Sequence, residues 1–391
     1  PSLVQLEGAM WKLVRKTTSP VFTLGKLKMM FGEIDSIALD LVRFLEQQMS
    51  SAPLEVRDLM AQFSTKVIGS VAFGVDMDIL GDPDSEFMKY APNAFIFDAR
   101  RIAYELLSSV CPKLRNLLGL KIFNPDREKF FIDFTKKAVE VREKKVRYRN
   151  DLLQHLMDMK VEEGVKKLED NEAKGEGVFQ NENLLPANVF IFFFAGVDTT
   201  TLSLSHLLLE LALHPEIQDK AREEIMMATN NTENVTYEIV QGMKYLDQVI
   251  SENLRKHTPL LYFTRKVTRD YRIPGTDVVL NKNVGIIIPS YAIHNDPKYY
   301  PEPRKFDPER FSEQNASKLK KFTYMPFGGG PRLCVAKRFA LLEQKITLTR
   351  LLPRFRFGVC EKTEYPLDYE PSTMFPIPKK GIWLKVERLQ K

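Results

Sequence analysis

The chain has 391 residues, 44% of them hydrophobic and 28% charged, with a net charge of +6. This is globular composition with ample material for a large core, and its mild basic excess suits a basic docking face better than a nucleic-acid-binding surface. Three cysteines, Cys111, Cys334 and Cys360, exclude a disulfide framework and fit a reducing compartment. No linker or internal repeat divides residues 1–391, so they read as a single domain. The apolar run from Val189 to Gly196 is far too short to span a bilayer, and there is no signal-peptide pattern.

In chain order, Leu6 to Arg15 forms a short amphipathic helix with Trp11 and Arg15 on one face. Apolar residues recur at helical spacing from about Leu27 to Met49 and from Val56 to Phe73. From Ser85 to Gly164 the helical pattern is looser and carries Phe95, Phe97, Phe130, Phe131 and Phe134, a type of cluster that is usually core. The charge-rich run from Glu162 to Glu176 reads as a solvated loop. A long apolar helix is expected from Leu184 to His214, with His214 as a cap residue. Its interior holds Ala195-Gly196-Val197-Asp198-Thr199-Thr200-Thr201, which is poor helix material because Gly costs about 1 kcal/mol relative to Ala and Thr is β-branched. A weak or bulged turn there points to function; the plainer reading is that the Thr hydroxyls bond back to the preceding turn.

Tyr245 to Arg255 is another amphipathic helix, in which Glu252 and Arg255 are i,i+3 neighbours and by default a surface salt bridge of tenths of a kcal/mol. Val278 to Ile288, Phe355 to Cys360 and Ile382 to Val386 read as short strands. The sequons at Asn230, Asn234 and Asn315 are of a length that arises by chance.

The stretch Phe327-Gly-Gly-Gly330-Pro-Arg332-Leu-Cys334-Val-Ala336 organises the rest. Its glycines allow close backbone approach to a large flat ligand. A helix-forming run follows at once, so Cys334 is expected near a helix N-terminus, where free N–H groups and the dipole lower a thiol's pKa. Arg332 is expected to point a cation at the same side. A lone Cys is more often a small buried hydrophobe, and a Gly-rich loop before a helix can cradle phosphate, although the P-loop spacing and its Lys-Ser/Thr ending are absent.

Phe327, Gly330, Arg332 and Cys334 resemble the haem-binding loop of the cytochrome P-450 superfamily, Phe-x-x-Gly-x-Arg-x-Cys-x-Gly, with Ala336 in place of the last Gly. Haem held by a Cys thiolate, the ligation for which this superfamily is the type case, has electron density pushed onto its iron, which favours O–O cleavage. The resemblance implies Cys334 as metal ligand and tighter packing at Ala336. Ala195-Gly196-x-Asp198-Thr199 is similar to the family's oxygen-pocket pattern. That likeness implies that Ala195 and Gly196 lie against the cofactor, that Gly196 leaves room for dioxygen, and that Asp198 and Thr199 relay protons. Glu252-x-x-Arg255 with Arg310 of Pro308-Glu-Arg310-Phe311 resembles the family's partly buried network that locks the Cys loop. Trp11, Arg15 and Arg265 stand where relatives bind haem propionates. Leu260 to Phe263 and Ser372 to Phe375 stand where relatives line the pocket, and the helices between Ser85 and Gly164 where they roof it.

Ser19 to Phe31 resembles the matching stretch of insect microsomal members. The resemblance as a whole implies a mainly α, helical-prism fold with small β-sheets. It also implies a C-terminal fragment without the membrane anchor, the first helices and most strands of the main sheet. The implied protein is a haem b monooxygenase that inserts one oxygen atom from dioxygen into apolar small molecules, xenobiotics such as plant toxins or insecticides. Its implied partners are an NADPH-dependent flavoprotein reductase and the cytosolic face of the endoplasmic reticulum membrane, with no nucleic acid. Lys318, Lys320, Lys321, Lys337 and Arg338 would form the docking face; a solvated charge run is the competing reading. The alternatives are a haem-thiolate isomerase or dehydratase, against which the intact Asp198–Thr199 pair argues, and a non-catalytic fragment.

Overall fold

The computed structural model of the chain describes residues 2–48, 52–90, 118, 124–144, 151–158, 184–371 and 374–390. Cys111, Phe95, Phe97, the loop expected over 162–176, and Ser372 lie outside the described residues.

Helix α1 spans Gly8–Thr18, α2 Leu24–Gln47, α3 Val56–Phe73, α4 Glu86–Tyr90, α5 Pro125–Lys144, and α6 Leu184–Leu213. The order continues with α7 Pro215–Ala228, α8 Tyr237–Gly242, α9 Lys244–Lys256, α10 Ser290–His294, α11 Glu313–Ala316 and α12 Lys337–Leu351. Three small antiparallel sheets complete the described part: β1 (Leu54–Glu55) beside β7 (Trp383–Arg388), which pairs β6 (Phe355–Gly358); β2 (Phe263–Lys266) with β5 (Gly285–Ile288); and β3 (Tyr271–Arg272) with β4 (Val279–Leu280). A mainly α fold with small sheets is therefore observed.

Helix α6 is the axis of the molecule. By length and apolar content it is able to cross a membrane, but two thirds of its most apolar window is buried inside the protein, so it is a core helix. It packs against α3, α5, α9 and α12. Glu55 caps the start of α3 by accepting from the Arg57 and Asp58 N–H groups, and Gly74 ends it at φ +65°, a left-handed position that suits glycine. Leu27, Phe31, Ile34, Ala38, Leu41 and Leu45 fall on one stripe of α2 and enter the same core. Arg350 of α12 clamps that helix with a bidentate pair to Asp35, both contacts 2.6 Å.

Phe130, Phe131 and Phe134 of α5 belong to this core and not to an open roof. Phe131 is fully buried, edge-on to Phe190 at 5.5 Å and tilted against Phe194 at 5.0 Å. Aromatic packing of this kind removes apolar area from water, with Phe130 and Phe134 half-buried beside the fully buried Phe131.

Candidate functional site

The loop from Phe327 to Ala336 is shaped by two left-handed glycines, Gly328 at φ +74° and Gly330 at φ +69°. The Cys334 N–H donates to the Phe327 carbonyl at 3.0 Å, which folds the loop back on itself. Side chains from distant parts of the chain surround it. Val335 packs with Trp11 of α1 and Phe192 of α6 against a small apolar cluster that includes Leu6, Val14 and Leu184. A Cβ on Gly328 would touch Phe263 and Arg265 of β2, whereas one on Gly329 or Gly330 would meet open space.

Cys334 keeps exposed surface on one side. Protein crowds it on the others, and that burial pushes its thiol up; the Ala336 N–H, Arg15 and Lys337 pull the other way without prevailing. The chain by itself therefore does not lower this thiol. Helix α12 begins only at Lys337, so the sulfur receives one N–H rather than sitting on the first free turn. Burial outweighs that single donor.

Three guanidiniums lie on this side of the loop. Arg15 is near enough to Cys334 to act on its charge, and burial holds Arg15 down. Arg332 does not point at the sulfur. It donates to the Leu6 carbonyl at 2.6 Å, stacks 4.6 Å from the Trp11 ring, and is held down by burial and by nearby Arg265. Arg265 donates to the Thr264 carbonyl at 2.8 Å. No carboxylate bridges any of the three among the described residues.

On α6 the helix runs unbroken through residues 195–201, so there is no bulge. The strain is relieved locally, because the Thr199 hydroxyl donates to the Ala195 carbonyl at 2.7 Å. Ala195 is exposed in the middle of the most buried helix, which marks an open space beside it. Asp198 faces Arg127 of α5, whose guanidinium also stands 5.5 Å from the Phe194 ring. Gly196 does not open a groove here. A Cβ on it would come within 2.5 Å of Ile68 Cδ1 and 2.8 Å of Cγ1, so the glycine serves the close approach of α3.

Glu252 and Arg255 are not at the surface. Both are fully buried, joined by contacts of 2.7 and 2.8 Å. Glu252 also accepts the Asp307 N–H at 2.9 Å and lies 3.4 Å from Arg310. Burial pushes its carboxyl up against these donors. Arg255 donates to the carbonyls of His294 at 3.0 Å and Pro303 at 2.9 Å. His294, held down to about 4 by burial and by Arg255, accepts the Met325 N–H at Nε2, 2.9 Å away. A rigid path thus runs from α9 to the start of the Cys loop.

His294, Arg127 and Ile68 escaped the sequence reading. Each acts on its partner across a sequence gap that no local pattern encodes. His214 occupies the N-cap position of α7, but its ring bonds the Glu210 carbonyl at 2.9 Å instead of capping the helix. Lys318, Lys320, Lys321, Lys337 and Arg338 are all exposed around the loop.

The family model for Cytochrome P450 matches residues 2–386. The chain belongs to the cytochrome P450 family. It is 38% identical to "Probable cytochrome P450 6a14" of Drosophila melanogaster, over 99% of this chain and 77% of that protein. Cytochrome P450 6a2 of the same fly is 36% identical over 99% and 77%, and cytochrome P450 9e2 of Blattella germanica 36% identical over 99% and 76%. A haem cofactor follows from the family, as does a monooxygenase activity on a small molecule with dioxygen. The residues of this cytochrome P450 fit that group. A sulfur with free surface suits an iron ligand, and open space over Gly329 and Gly330 suits a flat macrocycle. Guanidiniums not bridged to a carboxylate among the described residues suit two propionates.

Proposed function

We propose that this single-domain chain is a haem b monooxygenase acting on apolar xenobiotics such as plant toxins or insecticides, driven by an NADPH-dependent flavoprotein reductase at the cytosolic face of the endoplasmic reticulum membrane. The observation that carries the reading is the partly exposed Cys334 sulfur near Arg15, on a loop that also carries Arg332 and touches Arg265, none of the three bridged to a carboxylate among the described residues. Haem bound through Cys334 supplies dioxygen activation. Arg15, Arg265 and Arg332, with Trp11 stacked on the last, hold its carboxylates, and Phe327, Gly330 and Ala336 shape the loop beneath it. The exposed Ala195 of α6 would wall the site, with Gly196 letting α3 pack close behind it. The Thr199 hydroxyl spends its hydrogen on the Ala195 carbonyl, so its oxygen is left to accept, and it holds a water there. Asp198 passes protons to that water, and Arg127 orients its carboxylate. Lys318, Lys320, Lys321, Lys337 and Arg338 offer the reductase a basic surface. Glu252, Arg255 and Arg310 fix the loop.

The test is the reduced carbon monoxide spectrum of full-length protein, followed by product formed per NADPH consumed. Cys334→Ser is expected to abolish the thiolate signature, whereas Cys360→Ser keeps it. Thr199→Ala is expected to keep haem and lower product per NADPH, at the low end of the 10²–10⁴-fold range of acid–base effects, because water partly replaces the hydroxyl. A thiolate signature that survives Cys334→Ser, or wild-type turnover without dioxygen and NADPH, would overturn the reading; the latter would indicate an isomerase or dehydratase.

A further inference from the structure

Four residues of α6, Ala195, Thr199, Leu202 and His206, recur at helical spacing and share one face. Their surroundings change in order along that face. Ala195 borders open space and Thr199 is half-buried. Leu202 is buried in a small apolar cluster with Phe375 and Ile377, against Leu260 and Met374, separate from the main core. His206 is fully buried in a polar cluster. The apolar cluster is thus the continuation of the open site's wall, and it is made where α6 meets the stretch after α9 and the turn that carries Met374 and Phe375.

That turn closes a hairpin. The Glu370 N–H donates to the Ile377 carbonyl at 2.8 Å, and the Lys379 N–H to the Asp368 carbonyl at 2.9 Å. At the hairpin's near end the Leu261 N–H donates to the Met374 carbonyl at 3.1 Å. At its base stands Tyr369, whose hydroxyl lies 3.4 Å from His206 Nε2 and 3.5 Å from His257 Nδ1. The hydrogen-bond directions follow from the partners. His206 Nδ1 is 2.7 Å from the Leu202 carbonyl, which only accepts, so Nδ1 carries the hydrogen and Nε2 accepts from Tyr369. The same Tyr369 hydroxyl lies against His257 Nδ1, and His257 Nε2 donates to the Glu210 carboxylate at 2.6 Å. Glu210 is fully buried and also takes Lys256 at 2.9 Å. Burial and His257 hold His206 down to about 3, in keeping with a neutral ring.

We propose that Tyr369, latched between His206 and His257, is a positioning residue that sets how far the Met374–Phe375 turn reaches into the apolar site, and thereby which size of apolar ligand the site takes. This rests on the small-molecule reading above. Met374 and Phe375 touch the ligand; Tyr369 acts through them, as a supporting shell acts on a contact shell.

The experiment uses full-length, haem-loaded protein. Naphthalene and phenanthrene serve as small and large apolar probes, titrated by fluorescence, with amide hydrogen exchange followed over 369–378. Tyr369→Phe keeps the ring and removes the hydroxyl. It is expected to change the ratio of the two dissociation constants by about threefold or more, and to speed exchange over 369–378 while leaving Lys337–Leu351 unchanged. His206→Phe is expected to do the same, and the double variant no more than either single one, because both cut one chain of contacts. An unchanged ratio, additive effects, or loss of haem in Tyr369→Phe would overturn the proposal, the last by showing a part of the fold and not a latch. None of these readouts needs reductase, NADPH or dioxygen, so absence of turnover would sink the proposed reaction and leave this inference standing.

Discussion

Glu252→Ala is the sharpest test of how the Cys loop is held. Glu252 gives Arg255 two charge-assisted contacts of 2.7 and 2.8 Å and takes the Asp307 N–H at 2.9 Å. With the carboxylate gone, Arg255 keeps the carbonyls of His294 and Pro303 and the face of Tyr300 at 5.3 Å, but no counter-charge among the described residues. An uncompensated buried charge of this kind costs about 3–5 kcal/mol. Domains are stable by only about 5–15 kcal/mol, so a large share is lost. Arg310→Ala is expected to cost less, since Arg310 Nε stands 3.4 Å from Glu252 without a well-formed hydrogen bond, and Arg255 and the Asp307 N–H still hold the carboxylate. The assay is urea unfolding of holoprotein, with haem content read in parallel. Burial pushes Glu252 up despite its donors, so forming the pair is itself expensive. The predicted loss therefore comes from orphaning Arg255, not from deleting a favourable bond. Glu252→Ala within about 1 kcal/mol of wild type and with normal haem content would refute the reasoning.

Gly196→Ala is expected to cost about 1–3 kcal/mol by overpacking against Ile68, in spite of Ala's better helix propensity, and Ile68→Ala in the same chain is expected to relieve it. Additive losses in thermal or urea unfolding would show that the two do not compete for space. Glu343 of α12 is fully buried, neither oxygen has a well-formed hydrogen bond, and burial pushes its carboxyl well up, opposed in part by the Ser64 hydroxyl. Above the ordinary carboxyl value the unfolded chain loses this proton while the folded one keeps it. Stability is therefore full below that value and falls as pH rises, by up to about 1.4 kcal/mol per pH unit until the folded group ionises. Glu343→Gln removes that slope, so its stability relative to wild type is expected to grow from pH 4.5 to 7. A difference that stays flat over this window would show Glu343 already ionised.

Much of the site was legible because its signals are local. The loop's glycines, the Cys, the Asp198–Thr199 turn and the Glu252–Arg255 spacing each lie within a few residues of chain, where backbone and helix geometry act directly. What such windows leave out is burial. Glu252 and Arg255 look like a surface pair by spacing, yet loop residues 303–307 close over them from some fifty positions away. Cys334 looks activated by its neighbours, yet its surroundings raise it. Gly196 looks like a ligand cleft and is a seat for Ile68, which lies on another helix. Helix ends were legible to within about three residues: α2 starts at Leu24 and α6 ends at Leu213.

The division of labour between loop and scaffold follows from these facts. A loop with two left-handed glycines has little backbone preference of its own, since Gly loses more freedom on folding than any other residue. On the proposed reading, a sulfur that meets a metal ion cannot be left to such a loop. The order has to be imported. Arg255 fixes the His294 carbonyl, His294 fixes the Met325 N–H, and the loop is pinned at its start; the Phe327 carbonyl then takes the Cys334 N–H and pins its end. Neutral His294 is essential to that path, because a protonated ring has no acceptor left for Met325. The buried ion pair of α9 thus contributes position more than net stability, which explains why a costly carboxylate sits in the core so far from the sulfur it serves.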